Sequence, residues 1–127
     1  MSLKRDEIFY GICNVYASSN YRERAKLWDW CCSNLPKIHW VFVGDFNMVE
    51  HRADKLGGLA HSLKGNELFF WHKFKRKFNL IDPMENMHWK FPDIWFTWCN
   101  NQRDKQRVYC RLDRVYGEVS LVSFKQD

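Results

Sequence analysis

The residues best suited to chemistry are Gly44-Asp45-Phe46-Asn47, directly after the apolar run Val41-Phe42-Val43. A carboxylate and a carboxamide two residues apart, where a strand runs out, can face the same way. Asp45 could hold a hard divalent cation or orient a water. Asn47 could donate to a phosphate oxygen while accepting elsewhere. The same four residues also make a respectable turn. A second group is Asn14-Val15-Tyr16-Ala17. A phenol at the end of a strand can bond a phosphate or stabilise charge on a transferring group, although Tyr16 taken alone reads more readily as a core or rim tyrosine. The third is Arg111-Leu112-Asp113-Arg114. Strand alternation predicts Arg111 and Asp113 on one face, Leu112 and Arg114 on the other. Asp113 could orient a histidine through a carboxylate–imidazole bond or pair with a neighbouring arginine.

Such groups must be carried by strand ends. Residues Ile8 to Ala17, rich in Ile, Phe, Tyr and Val, predict a buried strand. Ser18-Ser19-Asn20 supplies turn and cap residues for a helix over Tyr21 to Leu35, ended by Pro36. Its apolar face is Tyr21, Ala25, Trp28, Cys32 and Leu35. His39 to Gly44 predicts a strand buried on both sides. Glu50 to Gly65 is polar and glycine-bearing, so a loop. Asn66 to Asn79 predicts a second helix, with Trp71, Phe74, Phe78 and Ile81 at helical spacing. A loop over Pro83 to Pro92 precedes strands over Ile94 to Cys99 and Gln106 to Tyr116, antiparallel across the turn Asn100 to Lys105. Irregular alternation of strands and helices predicts mixed α/β layers rather than a doubly wound parallel sheet.

The chain has 127 residues, enough for one domain, and its 46% hydrophobic content can build a core. Twenty Lys and Arg against fifteen Asp and Glu leave a formal charge of +5, compatible with a polyanionic partner but read slightly better as ordinary solubilising surface. The cysteines Cys13, Cys31, Cys32, Cys99 and Cys110 are odd in number and show no C-x-x-C or zinc spacing. Five reduced thiols packed as small apolar groups fit an intracellular compartment, nuclear or cytoplasmic. No stretch has the apolar length that crosses a membrane, and the N-terminus has no apolar signal core. Lys105, Arg107, Arg111 and Arg114, interleaved with Tyr109, form a basic stretch that could track phosphates. Asp104 and Asp113 interrupt it, and a solvated face is the cheaper explanation.

Taken in order, Asn-Val-Tyr-Ala, Val-Phe-Val-Gly-Asp-Phe-Asn, Phe96-Thr97-Trp98 and Arg-Leu-Asp-Arg resemble the endonuclease/exonuclease/phosphatase superfamily. Within it, the chain is similar to the endonuclease domain of plant-type LINE (non-LTR) retrotransposons. Asp54-Lys55-Leu56-Gly57-Gly58 and Phe78-Asn79-Leu80-Ile81-Asp82 also fit, so the resemblance runs from about Ile8 to Tyr116. It implies a four-layer α/β sandwich, here partial, and Mg²⁺- or Mn²⁺-dependent cleavage of a phosphodiester in DNA. It assigns Tyr16 to the scissile phosphate, Asp45 to the attacking water and the metal, Asn47 to holding phosphate and water, and Asp113 to orienting a general-acid/base histidine. Asn14, Lys105, Arg107, Arg111 and Arg114 fall on the nucleic-acid side.

Two departures shape the expectation. The family's early-strand metal-binding Glu has no match, since Glu7 lies directly before the Tyr16 strand. Its terminal Ser-Asp-His motif also has none, and His39, His51, His61, His72 and His88 stand in other contexts. Ser18-Ser19 replaces the family's Pro-Asn after Tyr-Ala. The chain is therefore expected to be a central slice of one domain, 1–127, with little activity alone, and to pair with a second copy through exposed sheet edges. Rival readings are a nucleic-acid-binding module without catalysis, a self-associating element-derived remnant, and a phosphatase of small phosphoesters.

Overall fold

The computed structural model describes residues 9–58, 63–85, 87, 90 and 94–118. Its elements run β1 (Tyr10–Tyr16), α1 (Tyr21–Asn34), β2 (His39–Asp45), a 3-10 turn (Arg52–Asp54), β3 (Lys55–Leu56), α2 (Gly65–Lys77), β4 (Trp98–Cys99), a second 3-10 turn (Asp104–Gln106), β5 (Tyr109–Cys110) and β6 (Asp113–Gly117). The architecture is mixed α/β, with two helices and two small sheets ordered β1-β2-β6 and β3-β5-β4. β1 is parallel to β2, and β6 is antiparallel to it. No helix is long and apolar enough to cross a membrane among the described residues.

Helix α1 starts where Asn20 stops the strand-to-helix turn. Its Oδ1 accepts from the N–H groups of Arg22 at 2.8 Å and Glu23 at 3.4 Å, satisfying two of the donors every helix start leaves open. Pro36 forces Leu35 into an extended conformation and the helix ends. Both helices lie on one face of the first sheet. Trp28 of α1, Trp71 and Phe74 of α2 and Phe78 just after it meet Phe42 and Tyr116 of the sheet in one aromatic core. Trp28 and Trp71 centroids are 4.9 Å apart, Phe42 and Phe74 4.7 Å. Pairs like these add about 0.5–1.5 kcal/mol each beyond their buried area. Part of the heavy aromatic content builds this core, while Phe9, Tyr10, Tyr16, Trp30 and Phe69 are exposed. Trp28, Cys32 and Leu35 of the expected α1 stripe join the core, whereas Tyr21 is half exposed.

Strand β2 departs from its expectation of burial on both sides. Only Phe42 is buried; its other residues are intermediate. Alternation and register explain this. Gly11, Cys13 and Val15 share the helix-covered face with Trp40, Phe42, Arg114 and Tyr116. Ile12, Asn14, Tyr16, Val41, Val43, Asp45, Asp113 and Val115 share the other, where Ile12 is 78% and Tyr16 86% exposed. The outer edge of β1 is the sheet edge at which the expected pairing with a second copy would occur.

The expected strand Gln106 to Tyr116 is split. β5 belongs to the second sheet and β6 to the first, with Arg111 and Leu112 between them. β4 and β5 are antiparallel, as the turn between them predicts, but only Trp98–Cys99 of the first segment is strand. The loop after Glu50 holds the first 3-10 turn and β3.

Candidate functional site

Each residue of Gly44-Asp45-Phe46-Asn47 has its own physical task. Gly44 has φ +142°, and a Cβ there would stand 2.1 Å from the Val15 carbonyl oxygen. Only glycine lets β2 pass so close to β1 at this point. Phe46 is fully buried, packed 4.9 Å from the Tyr116 ring, and its N–H donates to the Leu112 carbonyl at 2.8 Å. It anchors the strand end in the core. Asn47 takes φ +49°, which suits Asn better than most residues. Its N–H donates to Asp45 Oδ1 at 2.9 Å, and its Nδ2 to the Ala17 carbonyl at 2.6 Å. The turn reading of this motif and a chemical reading of Asp45 therefore coexist.

Register brings three of the expected residues together. Tyr16 is paired with Asp45, and Asp45 with Asp113. Directly paired residues project to the same face, with Cβ atoms roughly 4.5–5.5 Å apart in an antiparallel pair. A phenol and two carboxylates thus line up across three strands on the open face, at the C-terminal ends of the parallel pair. Tyr16 and Asp113 are exposed and Asp45 is half-buried. Asn14 stands one row back, exposed, beside Val43.

Two features missed in the sequence hold this row in place. Thr97 Oγ1 accepts the N–H groups of both Leu112 and Asp113, at 3.0 and 3.1 Å, pinning the start of β6. Its hint was Phe96-Thr97-Trp98, where only the motif stood out and not the hydroxyl. Arg24 and Glu67 form a buried pair, 4% and 2% exposed, with Nε–Oε2 at 2.5 Å and Nη2–Oε1 at 2.9 Å. Arg24 Nη1 also donates to the carbonyls of Ser18, Ser19 and Asn47, at 3.2, 2.8 and 2.9 Å. One guanidinium ties the loop after Tyr16 to the turn after Asp45. The available signal was a basic and an acidic residue, each in the first turns of two helices whose apolar faces must meet.

The basic stretch needs correction. Arg111 and Arg114 are each 4% exposed and serve inside the protein. Arg111 Nε pairs with Asp54 Oδ1 at 2.8 Å, its Nη2 with Asp82 Oδ2 at 2.5 Å, and its guanidinium lies 4.3 Å from the Trp95 ring centroid. Arg114 Nη2 donates to the Met48 carbonyl at 2.6 Å, and Nη1 lies 3.6 Å from Asp54 Oδ2. Buried charges need such partners, so neither arginine faces a polyanion. Nor do Arg111 and Asp113 share a strand face, because Arg111 precedes β6 and donates its N–H to the Asp54 carbonyl. Asp113 is not their partner either, since both turn to Asp54. Lys105 and Arg107 remain exposed, with Arg107 bonded to the Gln102 carbonyl and the Tyr109 hydroxyl.

Beside the core sits a second charged knot. Glu50 accepts from Trp71 Nε1 at 2.6 Å, from Tyr116 OH at 2.6 Å and from Lys75 Nζ. Burial pushes its carboxyl up, but bonds from His51, Lys75 and Tyr116 and the Lys75 charge outweigh this and hold it well below the usual carboxylate range. His51, bonded to Glu50 and near Glu85, is raised despite its partial burial. Burial raises Tyr116 most, and the Glu50 carboxylate adds to this.

Of the expected histidines, His39 sits at the far end of β2 from Asp45, and His51 and His72 belong to the Glu50 knot and α2. Glu7, His61, His88 and the segment Ser123 to Asp127 lie outside the described residues. Among the described residues no group of three or more His, Cys, Asp or Glu is placed to hold a metal ion. Mg²⁺ is commonly held by one or two carboxylates together with substrate phosphate, and the hard oxygens of Asp45 and Asp113 suit that arrangement. No protein-family model matches the chain, and no curated protein matches it.

Proposed function

We propose that this chain is part of a divalent-metal-dependent phosphodiesterase acting on DNA, built as a portion of a four-layer α/β sandwich like that of the LINE-type endonucleases its motifs resemble. The observation that carries the reading is the in-register row Tyr16–Asp45–Asp113 on the open face of the first sheet. Phosphodiester cleavage needs a cation held by oxygen ligands, a donor to the phosphate and an oriented water. Tyr16 OH would donate to a phosphate oxygen. Asp45 and Asp113 would hold the cation and orient water on the same face. A bound Mg²⁺ or Mn²⁺ supplies charge neutralisation on the phosphoryl oxygens and lowers the pKa of coordinated water. Asn47, whose N–H donates to Asp45 Oδ1 and whose Nδ2 donates to the Ala17 carbonyl, keeps Asp45 aimed and would help hold phosphate and water.

Turnover by these residues alone is expected to be slow. Among the described residues no histidine stands beside the row to serve as general acid or base. Groups that act as a unit lose most of their rate when one is missing. The test is nicking of supercoiled plasmid with Mg²⁺ and with Mn²⁺, wild type beside Asp45→Ala. Any nicking should be slow, need the cation and vanish in the variant. Robust nicking would overturn the slow-turnover reading. Nicking unchanged in Asp45→Ala would overturn the site.

A further inference from the structure

Between the N-terminal halves of α1 and α2 lies a cleft of about 720 Å³, in the range of ligand-sized pockets (roughly 300–1,000 Å³). Tyr21, Arg22, Lys26 and Asp29 line it from α1, and Lys64 and Phe70 from the start of α2. Its floor is the buried Arg24–Glu67 pair, which is neutral as a unit. The walls therefore carry three cations against one carboxylate. Lys26 also reaches Glu23 at 3.3 Å, but that pair is exposed and weak. Tyr21 is half exposed, with the Arg22 guanidinium 5.4 Å from its ring centroid. A cationic groove with an aromatic platform is the combination that holds single-stranded nucleic acid, phosphates on the charges and a base on the ring.

We infer that this cleft takes a single-stranded stretch of nucleic acid, one or two nucleotides long. Arg24 on its floor is held by Glu67 and by the carbonyls of Ser18, Ser19 and Asn47, so the floor is fixed before a ligand arrives. A duplex is too wide to enter, so the strand must arrive unpaired.

The experiment is fluorescence anisotropy of a labelled oligothymidylate of about a dozen nucleotides, with the whole chain in EDTA, so that binding is read apart from cleavage. Wild type should bind with steep salt dependence. Combined Arg22→Glu and Lys64→Glu should weaken binding at least about tenfold and flatten the salt slope, since each lost phosphate contact on a single strand removes roughly 0.7 from it. Tyr21→Ala should cost about fivefold or more. These side chains are exposed, and near-ultraviolet circular dichroism verifies folding. Lys64→Gln, which introduces no new charge, should give part of the loss. No binding by wild type, equal binding by the charge variants, or equal binding of a duplex overturns the inference. Failure of the phosphodiesterase reading would show separately, as nicking that ignores the cation or Asp45 while oligothymidylate binding in EDTA persists.

Discussion

Asp45 and Asp113 stand directly opposite one another across β2 and β6, on the face the helices leave open. Like charges in such a pair oppose sheet formation, by roughly 0.2–1 kcal/mol. A cation between them reverses the sign of that contribution.

Asp113→Asn is accordingly expected to raise stability in EDTA by about 0.2–1 kcal/mol, read as a higher urea midpoint. Added Mn²⁺ should stabilise wild type more than the variant, because a ligand that binds only the folded state stabilises it in proportion to its affinity. A variant less stable than wild type in EDTA would mean that Asp113 makes a favourable contact.

Arg24→Met should destabilise by about 3–5 kcal/mol, because it leaves Glu67 charged and buried without a partner. The double variant Arg24→Met with Glu67→Leu should recover much of this, since a well-packed apolar pair can replace a buried ion pair. A double-mutant cycle in urea checks both. The double variant should still show altered amide signals at Ser19 and Asn47, whose carbonyls lose their donor. Unchanged signals would contradict the role of Arg24 in joining the two loops.

Stability should depend on pH through the Glu50 knot. Glu50 is depressed in the folded state, so its contribution is present above its unfolded value, about 4.3, and is lost as pH falls toward the folded value. His51 is raised, so its contribution is present below its unfolded value, about 6.5, and fades as pH rises through the folded one. Urea midpoints should therefore be highest between about pH 4.3 and about 6.5 and fall on either side. Glu50→Gln should flatten the acid limb. An acid limb as steep in the variant would place the titration elsewhere.

Much of this was legible in the sequence for local reasons. β1, α1, β2 and α2 follow from apolar spacing, the Asn20 cap and Pro36, and end within a few residues of their expected bounds. Tyr16, Asp45 and Asp113 were each visible as polar groups at strand ends, but their alignment depends on register, which no single segment specifies. Arg111 and Arg114 were misread because their partners Asp54 and Asp82 are remote in sequence. A basic run looks the same whether it faces solvent or a buried carboxylate. The split between β5 and β6 was hidden for a similar reason. The chain passes from one sheet to the other at Arg111 and Leu112 without a glycine or proline to mark it.

Asp45 and Asp113, with Tyr16 beside them, are proposed to hold a divalent cation. Paramagnetic broadening of backbone amide signals by substoichiometric Mn²⁺, in wild type and in Asp45→Asn, is the measurement that decides this. Broadening should centre on Tyr16, Asp45, Asn47 and Asp113 in wild type and disappear in the variant. Broadening centred elsewhere, or the same pattern in Asp45→Asn, would contradict the proposed site.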